Sequence, residues 1–225
     1  MVQITPILVI NFKNYLEVSG AKALGLARAA ENVSTDLNVN IALVPPIPSI
    51  ATISDGVSLP VFSQHVDSAK IGGSTGSIVP EVCKEAGAVG TLINHSEMRV
   101  SEDLIREVIP RIRGLGMQSI VCAATPDEVS KFAPLAPDFI AIEPPELIGS
   151  GTAVSKARPE VITDSVKAAA QHPSVSILCG AGIVTGEDVT SAINLGAKGI
   201  LVASGIVKAS NWEDKVRELA QPLVR

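Results

Sequence analysis

The chain has 225 residues, 46% of them hydrophobic and 18% charged, a balance that supplies a core and excludes a disordered chain, which needs low hydrophobicity and high net charge. Its 18 Lys and Arg against 23 Asp and Glu leave a net charge of −5; with no basic surplus to neutralise a nucleic-acid backbone or an anionic membrane surface, neither is expected as a partner. The 3 widely spaced cysteines signal neither a disulfide framework nor a zinc site, and without a cationic leader or an uncharged run of about 20 residues the protein is expected to be soluble and cytoplasmic.

Along the chain, short runs rich in Val and Ile alternate with Ala- and charge-bearing stretches, the pattern of βα units around a buried parallel sheet. Strands are predicted at residues 7–11, 40–44, 60–63, 88–93, 118–121, 139–142, 176–178 and 199–202, and about eight strands close a (β/α) barrel. Ala23, Leu26, Ala27 and Ala30, spaced three or four apart, predict a first amphipathic helix over 20–33. After the fourth strand, Ser101-Glu102-Asp103 puts two acids where a helix dipole favours them. Thr125-Pro126-Asp127-Glu128 reads as a capping box after the fifth strand, with Pro at the first helical position. The connection after the sixth strand, from 144 to roughly 158, carries Pro-Pro and Gly-Ser-Gly and is too long for an ordinary βα loop; long loops in compact domains are usually functional. Ser210-Asn211-Trp212-Glu213 offers another box before the last helix. No repeat, low-complexity tract or composition shift marks a boundary, so residues 1–225 are expected to form one (β/α)8 barrel domain.

In a parallel barrel the active site lies where strands end, so polar residues there carry functional weight. That rule selects Asn11 and Lys13 after the first strand, His95 and Glu97 after the fourth, and Glu143 after the sixth. Singly, each has a bland reading: a solvated loop charge, a hydrogen-bonded core histidine, a surface acid. Together they supply a base, an electrophile and a fixed cation, a set suited to proton abstraction beside a carbonyl. Gly149-Ser150-Gly151, Gly180-Ala181-Gly182 and Ala203-Ser204-Gly205 add turns whose small residues let backbone amides approach a phosphate. His65, without an evident acid partner, and His172, at a helix end, read as structural, and Cys122 and Cys179 as buried inert thiols.

Taken together, Asn11-x-Lys13, His95-Ser96-Glu97, Glu143-Pro144 with Ile148-Gly149-Ser150-Gly151, and the two later glycine turns occur in the order seen in triosephosphate isomerases. The resemblance covers nearly the whole chain, and the short length looks like the archaeal branch, whose members are typically tetramers; it therefore implies a homo-oligomer, a tetramer or a dimer. It implies a three-carbon phosphorylated substrate, no metal or other cofactor, Glu143 as the base, neutral His95 polarising the carbonyl, and Lys13 stabilising the enediolate and the phosphate. Asn11 would position the substrate, and Glu97 would contact Lys13. Ile148 and Leu201 match apolar residues that flank the base, and closure of a 144–155 lid would desolvate Glu143 and bring an amide near Gly151 onto the phosphate. The chain departs from many relatives in lacking a serine after the seventh strand, in Ala203-Ser204 where two glycines are common, and at Asn94 and Met98. The phosphate contact is therefore expected on backbone amides at Gly149, Gly151, Gly182, Ala203 and Ser204.

Other phosphate-binding barrels are the nearest alternatives. A metal-using epimerase needs clustered His and carboxylates at strand ends, which 3 histidines do not offer. A Schiff-base aldolase needs a lysine where the sixth strand ends in Glu143. A catalytically silent barrel that binds a phosphometabolite is disfavoured by the intact base, electrophile and lysine.

Overall fold

The computed structural model describes residues 5–147 and 153–224. Eight short strands run parallel: β1 (Ile7–Asn11), β2 (Asn40–Val44), β3 (Phe62–Ser63), β4 (Gly90–Ile93), β5 (Gln118–Ala123), β6 (Phe139–Ile142), β7 (Ser176–Cys179) and β8 (Gly199–Val202). They are hydrogen-bonded in the order β2-β1-β8-β7-β6-β5-β4-β3. The ring closes between β3 and β2 through the bridge of Leu43 with Val61 and a 2.9 Å hydrogen bond from Leu43 N to the Pro60 carbonyl. The predicted barrel is thus the observed one, with shifted strand ends. The third strand contracts from 60–63 to Phe62–Ser63, because Pro60 has no N–H to give a ladder and Val61 makes the bridge instead. The fourth begins at Gly90, while the fifth and seventh run on to Ala123 and Cys179.

Alternation along the strands sorts side chains onto two faces. Ile7, Val9, Ala42, Val44, Phe62, Leu92, Ile120, Cys122, Phe139, Ala141, Leu178 and Leu201 form one buried cluster, the barrel interior. Gly90 makes room for the largest of these: a Cβ there would lie 2.2 Å from Phe62 Cε1. The opposite set, with Leu8, Ile10, Ile41, Leu43, Val121 and Ile140, packs under the helices. The inward period of β1, Ile7 and Val9, next reaches Asn11; that of β6, Phe139 and Ala141, next reaches Glu143. Strand periodicity alone therefore aims these two polar side chains into the barrel mouth.

Among the described residues the helices are α1 (Lys22–Leu37), α2 (Ile50–Gly56), α3 (Pro80–Glu85), α4 (Glu102–Gly114), α5 (Pro126–Phe132), α6 (Val154–Ala157), α7 (Pro159–Ala169), α8 (Gly186–Asn194), α9 (Ser204–Val207) and α10 (Trp212–Ala220). None is long and apolar enough to cross a membrane. α1 buries the predicted stripe of Ala23, Leu26, Ala27 and Ala30. It runs four residues past the predicted end, until Asn38 turns left-handed at φ 52° and returns its N–H to the Ser34 carbonyl. Ser101 and Thr125 cap α4 and α5 by accepting from Leu104 N and Glu128 N. The predicted box at Thr125 is not reciprocal: Glu128 reaches past it to Ala124 N at 2.8 Å. At α10 the cap is Asn211, one residue later than predicted, accepting from Glu213 N and Asp214 N. A full capping box forms instead at Thr185 and Asp188, starting α8.

The connection after β3, residues 64–79, forms no regular helix or strand, a stretch that its sequence did not single out. Asp67 accepts the Ile78 N–H at 2.7 Å, and Arg111 joins Glu81 to the carbonyls of Ser68 and Ala69. These contacts tie the connection to α3 and α4.

Candidate active site

Asn11, Lys13, His95, Glu97 and Glu143 meet at one cavity of about 510 Å³ at the carboxyl ends of the strands. Two of the loops that bring them there hold a non-glycine residue in the left-handed region, Lys13 at φ 49° and Asn94 at φ 63°. Such conformations cost about 1–3 kcal/mol each and persist where neighbours impose them. At Lys13 the neighbours are Asn11, whose Oδ1 accepts the Lys13 N–H at 2.9 Å, and Gln64, whose Nε2 donates to the Lys13 carbonyl at 2.9 Å. At Asn94 the side chain does the work itself, donating to the Cys122 carbonyl at 2.9 Å and accepting from Val100 N at 3.1 Å. The loop after β4 is thereby fastened to β5 while the next residue, His95, is carried into the cavity.

His95 is 6% exposed, and its Nδ1 accepts the Glu97 backbone N–H at 3.2 Å. A nitrogen that accepts carries no proton, so the imidazole is neutral with its proton on Nε2. Burial, and then the Lys13 ammonium, drive its pKa down to about 4, against an opposing pull from Glu97. Lys13 Nζ pairs with Glu97 Oε1 at 2.7 Å. One residue, Glu97, therefore fixes the imidazole tautomer with its amide and steadies the lysine with its carboxylate.

Glu143 is 4% exposed, and its Oε1 lies 3.7 Å from His95 Nε2. Burial raises its pKa to about 7, although the Cys122 thiol and the Lys13 ammonium pull the other way. Its Oε2 has no hydrogen-bond partner among the described residues, which leaves the charged form poorly solvated. The carboxylate is thus far more basic than its ordinary 4.5. Space for it comes from Gly180, where a Cβ would lie 2.5 Å from Glu143 Cγ and 3.1 Å from Oε1. Sequence reasoning assigned the Gly180-Ala181-Gly182 turn to the phosphate and did not connect Gly180 with Glu143. The available signal was that Gly180 continues the inward period of β7 two residues beyond Leu178.

The opposite wall of the cavity is formed by Gly182, Leu201, Ala203, Ser204 and Gly205. Gly182 adopts φ 71°, a left-handed conformation that glycine reaches at low steric cost. Ser204 opens the single-turn α9, whose first amides have no partner within the helix. Tyr15 and Lys208 also line the cavity, with Lys208 Nζ 4.8 Å from the centre of the Tyr15 ring; neither was selected from the sequence. Ile148, Gly149 and Gly151 lie outside the described residues.

The remaining sequence candidates lie beside this site without a reacting role, Cys122 against Glu143 and His65 in a neighbouring pocket that Asn11, Lys13, His95 and Glu97 also line. His65 does have an acid partner, contrary to expectation: its Nε2 is 3.1 Å from Asp67 Oδ1, two residues along the same connection. Cys122 and Cys179 are buried, with thiols pushed up by desolvation, Cys179 to about 12. Thiols so held are inert as nucleophiles.

A family profile described as Triosephosphate isomerase matches residues 6–219. The chain is similar to triosephosphate isomerases of Methanothermobacter thermautotrophicus, at 49% identity over 96% of this chain and 94% of the relative, and of Methanobacterium bryantii, at 47% identity over 97% of each. A triosephosphate isomerase of Saccharolobus solfataricus is 46% identical over 98% of this chain and 97% of the relative.

Proposed function

The chain belongs to the triosephosphate isomerase family, and from that premise we propose that it interconverts dihydroxyacetone phosphate and glyceraldehyde 3-phosphate without a cofactor, with Glu143, His95 and Lys13 as the working groups. Glu143 removes a proton from the carbon beside the carbonyl, and the C–H electron pair becomes the double bond of an enediolate. The neutral His95 Nε2–H hydrogen-bonds the oxygen on which charge develops and exchanges protons between the two oxygens. Glu143 then returns its proton to the neighbouring carbon. Lys13 stabilises the negative intermediate and the phosphate by fixed charge. Glu97 acts through its neighbours, holding Lys13 in place and His95 in the donating tautomer. Asn11 orders the Lys13 loop and faces the substrate.

The observation that carries this reading is the 3.7 Å approach of Glu143 Oε1 to His95 Nε2 in a cavity that also holds Lys13. A base with a pKa of about 7 beside an imidazole with one of about 4 divides the roles: the carboxyl takes protons and the imidazole donates hydrogen bonds. Backbone amides at Gly182, Ala203 and Ser204 hold the phosphate and Leu201 covers the base; the contacts that the family resemblance implies for Ile148, Gly149 and Gly151 lie outside the described residues.

A coupled assay with purified protein and glyceraldehyde 3-phosphate tests this. Wild-type turnover is expected, with Glu143→Gln slowed about 10³-fold while still binding a phosphate-bearing analogue, and with Lys13→Ala crippled in both binding and turnover. Unchanged turnover in Glu143→Gln would overturn the assignment. Membership of the family supports assembly with further copies of the chain, as a tetramer or a dimer, and a place in the cytosol. A monomer mass in light scattering would contradict that.

A further inference from the structure

The charges that line the cavity almost cancel. Among the described residues there, the cations are Lys13 and Lys208 and the carboxylates are Glu97 and Glu143. Lys13 is already committed to Glu97 at 2.7 Å. Without Lys208, a phosphate dianion would approach two carboxylates and one neutralised lysine, in a protein whose net charge is −5. Lys208 sits four residues after Ser204, one turn along the same helical segment, with its N–H on the Ser204 carbonyl at 3.1 Å. Side chains four apart share a helix face, which sets Lys208 on the side of Ser204, and both residues line the cavity. Its free position is narrowed from the other side, because Nζ lies 4.8 Å from the centre of the Tyr15 ring. A cation over an aromatic face is held by the ring quadrupole without losing its charge.

We propose that Lys208, held over the Tyr15 ring, is a second cationic arm of the cavity that captures the phosphate dianion, and that Tyr15 is its positioning residue. This deepens the isomerase reading and rests on it for the identity of the substrate, while the ligand chemistry is that of any small phosphate dianion. Tyr15 lies two residues beyond Lys13 in the same loop, so the stack links the loop after β1 to the segment after β8. The two lysines divide the work. Lys13 is half-buried and paired, suited to the reacting oxygens; Lys208 is exposed at the rim, suited to drawing in an anion and retaining it. A rim charge acts on capture, so its loss falls on kcat/KM and its salt dependence more than on the chemical step.

The test uses the full chain and two probes: inorganic phosphate titrated by calorimetry, and glyceraldehyde 3-phosphate turnover at several salt concentrations. Lys208→Gln is expected to weaken inorganic phosphate roughly tenfold and to lower kcat/KM by about as much through KM, with a flatter salt dependence. Lys208→Arg should restore both. Tyr15→Leu should reproduce part of the loss, and Tyr15→Phe, which keeps the ring face, should behave as wild type. Wild-type phosphate affinity and salt slope in Lys208→Gln would overturn the capture role. Tyr15→Leu matching Tyr15→Phe would overturn the positioning role. Failure of the isomerase reading is distinguishable, because it removes turnover from the wild type while leaving the phosphate titration to decide on Lys208.

Discussion

At the scale of single residues, the chemistry depends on two groups displaced from their ordinary protonation in opposite directions by burial. Glu143 is raised from 4.5 to about 7, so the folded state holds its proton more tightly than the unfolded chain. Below pH 4.5 the group is protonated in both states and costs nothing. Between 4.5 and 7 a penalty grows, and above 7 the buried carboxylate costs the fold about 3 kcal/mol. Glu143→Gln carries no such penalty. Its stability advantage over wild type should be near zero at about pH 4.5 and approach that figure near pH 8, as read by denaturant unfolding; an advantage that shrinks with rising pH would contradict the account. His95, lowered to about 4, should stay neutral down to about pH 5, with Nδ1 bare and Nε2 protonated in nitrogen-resolved NMR. Titration near its ordinary 6.5 would contradict the Glu97 hydrogen bond that fixes the tautomer.

At the scale of elements, the site exists because the segments after β1, β4, β6, β7 and β8 deliver their groups to one cavity. The tightest tolerance is between two of them, where Gly180 passes the side chain of Glu143. A methyl at Gly180 would need to displace Glu143 Cγ from 2.5 Å. Gly180→Ala should therefore keep the fold and lose about 10²-fold in kcat, the cost of misplacing a reacting group by about an ångström; wild-type kcat would show that the carboxyl has more freedom than its neighbours imply. Much of this arrangement was legible in the sequence. Strand alternation aims Asn11 and Glu143 inward, and the barrel rule selected Lys13, His95 and Glu97 at strand ends. What was not legible depends on how individual turns bend and on contacts between distant segments. Glu128 accepts from Ala124 N in place of Thr125 N, the third strand shortens at Pro60, and His65 finds Asp67 through a bend in its own connection. The period of β7 could mark Gly180 as inward-facing but not that it would meet Glu143, and the Tyr15–Lys208 pair joins residues far apart in sequence that no local pattern connects.

At the scale of the whole molecule, the barrel converts a run of unremarkable βα units into one rim where segments separated by over a hundred positions share a cavity. Net charge is negative, yet the cavity contains two lysines, so the local field and not the overall balance decides whether an anion enters. The central claim is that Glu143 carries a proton between two carbons of a bound triose phosphate. The most direct measurement is NMR of the product sugars after turnover in D2O, comparing wild type with Glu143→Gln. Wild type should place solvent deuterium on the carbon beside the carbonyl, through exchange on the Glu143 carboxyl, and the variant should place almost none in the same time. Equal deuterium incorporation by the variant would contradict the mechanism.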